Sequence, residues 1–286
     1  MRKSQLFTAL TVSLLFTACD IVEEPIPPGS AGGNGPDTSG TVTRRVLLED
    51  YTGHRCNNCP GAAAVAQSLH DIYQDELILV GVHAGSFSPP YPPIGDGEYD
   101  TDFRTPAGNA YALQFDVAFQ PAGLISRKEF GNFIVQSETA WSSNVADIIG
   151  EPADMDVQFT DFSYDATTNT VETTIKTIVL NPVTGDHFLT VFLTEDHVVD
   201  WQLDSDSSPP DIPDYDHRHV LRDNLNGTWG EAVISGSALA GDTITSTFTY
   251  QLSSNVLDPN NCALVAFVSR TDNYEVMQVA EQKFVE

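Results

Sequence analysis

Val46-Leu47-Leu48-Glu49-Asp50-Tyr51-Thr52-Gly53-His54-Arg55-Cys56-Asn57-Asn58-Cys59-Pro60 is the stretch that decides how the front of this chain folds. Val46 to Tyr51 is a strand-like run, and Thr52 to Arg55 leads from it into Cys56-Asn57-Asn58-Cys59. An alanine-rich stretch follows, from Gly61 to about Tyr73. Its Ala62, Val65, Ala66, Leu69 and Ile72 or Tyr73 fall at helical spacing. Leu77 to His83 is a second apolar strand.

A strand, a Cys-x-x-Cys that opens a helix, and a buried strand together resemble the thioredoxin-like arrangement. The chemistry of that order is coherent. A thiol at a helix N-terminus meets free backbone N–H groups and the positive end of the dipole, which favour the thiolate. Cys56 is then the expected nucleophile, with Arg55 and His54 as positive neighbours. Cys59, one turn inside the helix, is placed to resolve a mixed disulfide. Asp50 lies six residues before Cys56, the place where thioredoxin-like proteins carry a buried acid beneath the Cys pair, so the resemblance makes it the candidate to take the resolving thiol's proton. Glu49 competes for that role, because strand alternation puts only one of the two inward. Val117 to Pro121 precedes a short strand, Gly123 to Arg127. Pro121 matches, in order and spacing, the cis-proline that faces the Cys pair in thioredoxin-like proteins.

Each element also has a plainer reading. Cys56–Cys59 can be a structural disulfide in an exported domain. Pro121 can be an ordinary trans proline. Zinc is weaker still, because there is no second Cys pair and His54, His70 and His83 lack ligand spacing. His83, ending a buried strand, reads as a core residue. The loop from His83 to Phe103 holds Phe87-Ser88-Pro89-Pro90-Tyr91-Pro92-Pro93 and the acidic residues 95–102. That acidic part offers oxygen ligands to Ca²⁺ but lacks the twelve-residue EF-hand pattern, so a solvated loop is the favoured reading. Helix-like stretches near 104–114 and 136–149 complete this first domain, residues 43–150.

From residue 151 the composition shifts to Thr, Val and Phe. Period-two alternation in Thr170 to Leu180 and a return strand from His187 to Glu195 flank a turn at Asn181 to Gly185. Further strands are expected near 154–163, 197–203, 242–252, 262–270 and 275–285. About seven short strands without a long helix predict an antiparallel β-sandwich, immunoglobulin-like in outline, over residues 151–286. Cys262 reads as a buried strand residue. Asp204 to Asp216 is an acidic, Pro-rich loop that offers oxygen ligands to a hard cation, but a disordered or solvated loop away from the Cys pair is the favoured reading. His217 and His219, at i and i+2, can share one strand face as metal ligands, but they lack a third ligand. The chain has no Gly-rich phosphate loop, no Gly-x-Ser-x-Gly and no His-Glu-x-x-His, and no cofactor beyond a redox disulfide is expected.

The N-terminus sets the compartment. Arg2 and Lys3 precede an apolar run from Leu6 to Phe16, too short to span a bilayer. It ends in Leu14-Leu15-Phe16-Thr17-Ala18-Cys19, which resembles a lipobox with Cys19 as the lipid site; an ordinary signal peptide cut near Ala18 is the alternative. Residues 1–18 are then the signal peptide. Residues 19–42, rich in Pro, Gly and Ser, form a flexible tether. The 286-residue chain carries 40 acidic against 13 basic residues, a formal charge of −27. Losing Arg2 and Lys3 makes the mature chain more negative still. This excludes a nucleic-acid partner and electrostatic docking on anionic lipid. With 41% hydrophobic and 19% charged residues, the chain can still bury a sizeable core. Membrane attachment therefore rests on lipid.

Taken together, the lipobox with its tether, Leu47 to Pro60, the Phe119-Gln120-Pro121 turn, and Tyr215 to Arg222 followed by Gly227-Thr228-Trp229-Gly230 resemble the twenty-eight-kilodalton outer-membrane lipoprotein family of Bacteroidetes. The resemblance implies a thioredoxin-like domain followed by a β domain at the outer membrane, and adhesion is among the roles suggested for that family. Two functions follow as expectations. One is thiol–disulfide exchange on protein or peptide disulfides. The other is surface binding, with Cys56–Cys59 as a staple.

Overall fold

The computed structural model describes residues 41–92 and 95–285. The expected signal peptide, most of the expected tether and Cys19 lie outside them. The first part of the chain runs β1 (Val46–Thr52), α1 (Cys59–Tyr73), β2 (Leu77–His83), α2 (Pro106–Gln114), β3 (Ala122–Ile125) and α3 (Glu138–Ala146). The rest is strands: β4 (Met155–Asp165), β5 (Thr170–Val179), β6 (Val183–Thr184), β7 (His187–Glu195), β8 (Val198–Leu203), β9 (Asp211–His217), β10 (Val220–Asn224), β11 (Glu231–Ile234), β12 (Ser237–Ala238), β13 (Thr243–Gln251), β14 (Cys262–Arg270) and β15 (Val276–Lys283). All seven strand regions expected after residue 150 are present, and so are both helix-like stretches.

β1 is buried along almost its whole length, as befits a strand with neighbours on both edges and helices on a face. It pairs in parallel with β2 (Val46↔Leu77 to Thr52↔His83) and antiparallel with β3 (Tyr51↔Ala122). α1 turns Ala62, Ala66 and Leu69 inward, a stripe at helical spacing. That stripe meets Leu48, Leu79 and, from α3, Trp141. The opposite face of the sheet packs on Tyr111 of α2 together with Phe192 and Phe267 from β7 and β14. Gly123 in β3 has no side chain because the Trp141 ring occupies that space.

The expected boundary near residue 150 falls between α3 and β4, but the sheet crosses it. The order is β15-β14-β7-β10-β2-β1-β3, with β11 also on β7. β10 joins β2 in parallel at Val220↔Gly81, and Thr41–Glu286 makes one compact unit. A second layer of β13-β5-β4 lies over β7, β14 and β15, with Val171, Ile175, Leu193, Leu264 and Ala266 between them. This is a β-sandwich, yet its larger layer is not the closed sheet of a separate immunoglobulin-like domain. It continues into the sheet that carries the Cys motif. The second part of the stretch expected as an acidic loop at 204–216 is also strand: β9, from Asp211, pairs with β8 in a two-stranded ribbon. Among the described residues no helix is long and apolar enough to cross a membrane.

Candidate functional site

The turn after β1 builds the site. The Cys56 N–H donates to the Gly53 carbonyl at 2.9 Å and the Cys59 N–H to the Cys56 carbonyl at 3.1 Å. Cys56 and Cys59 form a disulfide with their Cα atoms 5.4 Å apart. Cys59 is the first residue of α1, not one turn inside it, and Cys56 stands in the turn ahead. Pro60 accounts for this start. It has no N–H, and the first helical turn is where none is needed. Gly53 is required by close approach, since a Cβ there would sit 2.7 Å from the Phe87 carbonyl carbon.

The Cys turn is covered. Cys56 is 2% exposed and Cys59 1%. The cover is the β8–β9 ribbon. Gln202 Nε2 donates to the Cys56 carbonyl at 3.1 Å, and the Leu203 N–H to the His54 carbonyl at 2.8 Å. The Ser205 N–H donates to the Asn57 carbonyl at 2.9 Å, and Ser205 Oγ to Asn58 Oδ1 at 3.3 Å. The expectation that the 204–216 segment lies away from the Cys pair is therefore corrected. Pairing with β9 lets β8 turn its edge onto the turn, and sequence distance carries no record of that contact.

Alternation along β1 separates its two acids. Glu49 points to the α2 side and forms a bidentate pair with Arg127, both contacts 2.7 Å and both residues buried. The Arg127 guanidinium also lies over the rings of Tyr111, Phe267 and Phe115, at 4.6, 5.0 and 5.1 Å. Asp50 points to the α1 side. It is 8% exposed, and its Oδ1 has no hydrogen-bond partner. Burial, with Glu138 adding like charge, pushes its carboxyl up to about 7.

The two expected positive neighbours of Cys56 are engaged elsewhere. Arg55 donates through Nη2 to the Ser86 carbonyl at 2.5 Å and stacks over the Tyr91 ring at 4.6 Å. His54 is buried, donates through Nε2 to the Pro89 carbonyl at 3.0 Å, and meets Tyr99 and Phe103 edge-on. Burial lowers its pKa, so it is neutral rather than a local cation. Both residues tie down the 83–103 loop, which reaches the ribbon through Tyr99 Oη donating to Asp211 Oδ1 at 2.7 Å. The Gln120–Pro121 peptide is cis and leads directly into β3. Beside it, Gln120 Nε2 donates to the carbonyls of Thr52 and Ala84, both at 2.9 Å.

The acids of the 95–102 loop are used by the loop itself. Asp100 accepts from the Gly95 and Gly97 N–H groups, and Asp102 holds Arg104 at 2.7 Å. Among the described residues no cluster of three or more His, Cys, Asp or Glu is arranged to hold a metal. His217 packs against His83 (5.5 Å) and Phe103 (4.9 Å), whereas His219 turns to Asp196 at 3.4 Å. The positive φ of His219 is what separates the pair.

Behind the disulfide lies a cavity of about 350 Å³. Asp50, Cys59, His83, Gln202, Tyr215 and His217 all line it. Half of those residues come from the distant part of the chain. Gln202 and Ser205, which cover the Cys turn, have no motif of their own in the sequence. The stretch Tyr215 to His219 does stand out there as a dense run of aromatic and His residues, and that is the one legible sign of this wall.

Known proteins place the chain. It is similar in fold to HBP35 of Porphyromonas gingivalis, with a TM-score of 0.61 at 17% identity over 85% of this chain and 76% of that one. A protein of Agrobacterium tumefaciens superposes with a TM-score of 0.51 at 12% identity, covering 86% and 97%. At such identities the likeness is one of fold. A transducer protein of Halobacterium salinarum, BasT, is 28% identical over 175 residues, 59% of this chain. The chain spans about a fifth of that relative's length (21%). The profile of the family described as Outer membrane protein Omp28 matches residues 108–286, more than half of the chain and all of its β-rich part. The chain belongs to the Omp28 outer-membrane protein family.

Proposed function

We propose that the chain is a lipid-anchored outer-membrane protein that performs thiol–disulfide exchange through a thioredoxin-like segment, residues 43–150. The observation that carries this reading is Asp50. A buried carboxyl without a hydrogen-bond partner costs stability, and a disulfide that only staples a turn has no use for one. A resolving thiol does. In the reduced protein the Cys56 thiolate attacks a substrate disulfide, forming a mixed disulfide and releasing one substrate thiolate. The Asp50 carboxylate accepts the Cys59 proton as the Cys59 sulfur attacks Cys56. The intramolecular disulfide forms and the second substrate thiolate leaves. Two electrons pass from the Cys pair to the substrate. The outer-membrane description of the family supports the location. The anchor would be Cys19, outside the described residues.

The test is insulin reduction by the mature protein. Cys56→Ser is expected to abolish it, and Cys59→Ser to accumulate mixed disulfides. A wild-type protein that neither reduces nor oxidises a model disulfide would falsify the reading.

A second reading, a surface-binding protein stapled by Cys56–Cys59, is favoured by one observation: both cysteines lie beneath the β8–β9 ribbon. The reduction potential separates the two. A potential below about −300 mV marks a structural bond, and one well above it a working couple.

A further inference from the structure

The cavity behind the disulfide is chemically lopsided. Its inner wall holds two buried polar atoms with no hydrogen-bond partner, Asp50 Oδ1 and His83 Nδ1. Asp50 is 8% exposed and His83 4%. Around them the lining is small and apolar: Pro60, Ala63 and Ala66 from α1, and Leu79 from β2. The one Lys or Arg in the lining is Arg218, and it is exposed. His83 and His217 are held neutral by burial and supply no positive charge. The Asp50 carboxyl thus faces an open, largely apolar space in which the protein's own cation, Arg218, is exposed and makes no contact with Asp50.

Pockets of this kind bind by an apolar body with a few placed polar groups. The missing partner of a desolvated carboxylate is a cation that also donates hydrogen bonds. We propose that this cavity binds a small organic monocation, its primary ammonium group on the Asp50 carboxylate and its apolar body against the alanine face of α1. Exposed Ala64, Asp216 and Arg218 stand at the mouth. The neutral imidazole of His83 is positioned to accept a second hydrogen bond from the ammonium. The volume suits a molecule the size of phenylethylamine or hexylamine rather than a peptide. This goes beyond the exchange reading and does not depend on it, because binding is read on the oxidised protein without any redox step.

The experiment is calorimetric titration of the oxidised mature chain with phenylethylamine and hexylamine, beside 2-phenylethanol and hexanol as neutral matches. The amines are expected to bind at one site per chain and the alcohols about tenfold or more weaker, the discrimination of one charge-assisted hydrogen bond. Asp50→Asn is expected to bring the amines down to the level of the alcohols. Ala63→Leu keeps every charge but fills the cavity from α1, and is expected to weaken amines and alcohols alike. Thermal melting checks that both variants fold. The proposal is overturned if the amines do not bind, if alcohols bind as well as amines, or if Asp50→Asn leaves amine affinity unchanged. It is equally overturned if Ala63→Leu binds amines as the wild type does, since the cations are then collected by the acidic surface.

Discussion

Gln202 and Cys56 are 146 residues apart in sequence, and the Gln202 side-chain amide donates to the Cys56 carbonyl at 3.1 Å. The same amide donates to its neighbour's carbonyl, Leu203, at 2.7 Å. One side chain thereby stitches the ribbon to the Cys turn, and the backbone bonds of Leu203 and Ser205 extend the seam. An attacking thiolate needs a line of approach to a sulfur, so any exchange at this disulfide requires the seam to open.

The seam therefore sets a rate. Gln202→Ala removes the side-chain hydrogen bond to the Cys turn, worth about 1 kcal/mol in net stability, together with the one that braces it on Leu203. Reduction by dithiothreitol, followed by alkylation and mass measurement, is expected to run several-fold faster than in the wild type. An unchanged reduction rate would mean that the ribbon does not control access to the sulfurs.

Asp50 gives a pH signature of definite sign. Its folded pKa is raised to about 7 by burial, so the folded state holds a proton that the unfolded chain has released. Below about pH 4 both states are protonated and there is no penalty. Between about pH 4 and 7 stability falls as pH rises, up to about 4 kcal/mol in all. Asp50→Asn removes the penalty, so the variant is expected to be more stable than the wild type at pH 8. The two should converge near pH 4. Urea unfolding at both pH values measures the difference, and a variant less stable at pH 8 would show that the carboxylate has a partner.

His217 acts in the opposite direction. Burial lowers its pKa to about 4, against the hydrogen bond it donates to the Trp201 carbonyl at 3.3 Å. The charged form is the one the fold disfavours. Its contribution is present above about pH 6.5 and is lost as pH falls towards 4, on the order of 3 kcal/mol at full extent. His219, lowered to about 4 by burial against its Asp196 contact, adds to the same limb. His217→Gln is expected to flatten the acid limb of a stability–pH curve while leaving the curve above pH 7 unchanged in slope. A limb as steep as the wild type's would assign the acid sensitivity to other groups.

Several of these groups are legible in the sequence and others are not, for physical reasons. Alternation along β1 says that Glu49 and Asp50 face opposite ways. It cannot say which side holds Arg127, whose carboxylate partner is 78 residues away. The run Leu77 to His83 is apolar on both faces, which announces covered faces but not the neighbouring strand. That neighbour is β10, which comes close because Gly81 lacks a side chain: a Cβ there would lie 3.2 Å from the Arg218 carbonyl. The Gly81 N–H then donates to the His219 carbonyl at 2.7 Å. In the sandwich β5 and β13 carry local period-two patterns and β7 and β14 are continuous buried runs, so they are readable one by one. The short strands β9 to β11 carry none, because their pairing partners decide their conformation.

Glu49 lies next to Asp50 on β1 but points to the opposite face, where it pairs with Arg127 behind the site. Both charges are out of water, and each satisfies the other through two hydrogen bonds. Removing one partner leaves an uncompensated buried charge, a loss of about 3–5 kcal/mol. Arg127→Met is therefore expected to destabilise severely. It also strips the cation from among the Tyr111, Phe115 and Phe267 rings. The double variant Glu49→Leu with Arg127→Met removes both charges at once and is expected to regain most of the loss, since apolar replacement of a buried pair is often near neutral. Urea unfolding of both variants and of Glu49→Leu alone completes a double-mutant cycle. A double variant as unstable as the sum of the two single changes would mean that the two side chains do not stabilise each other, and that the aromatic cage, not the ion pair, holds Arg127 in place.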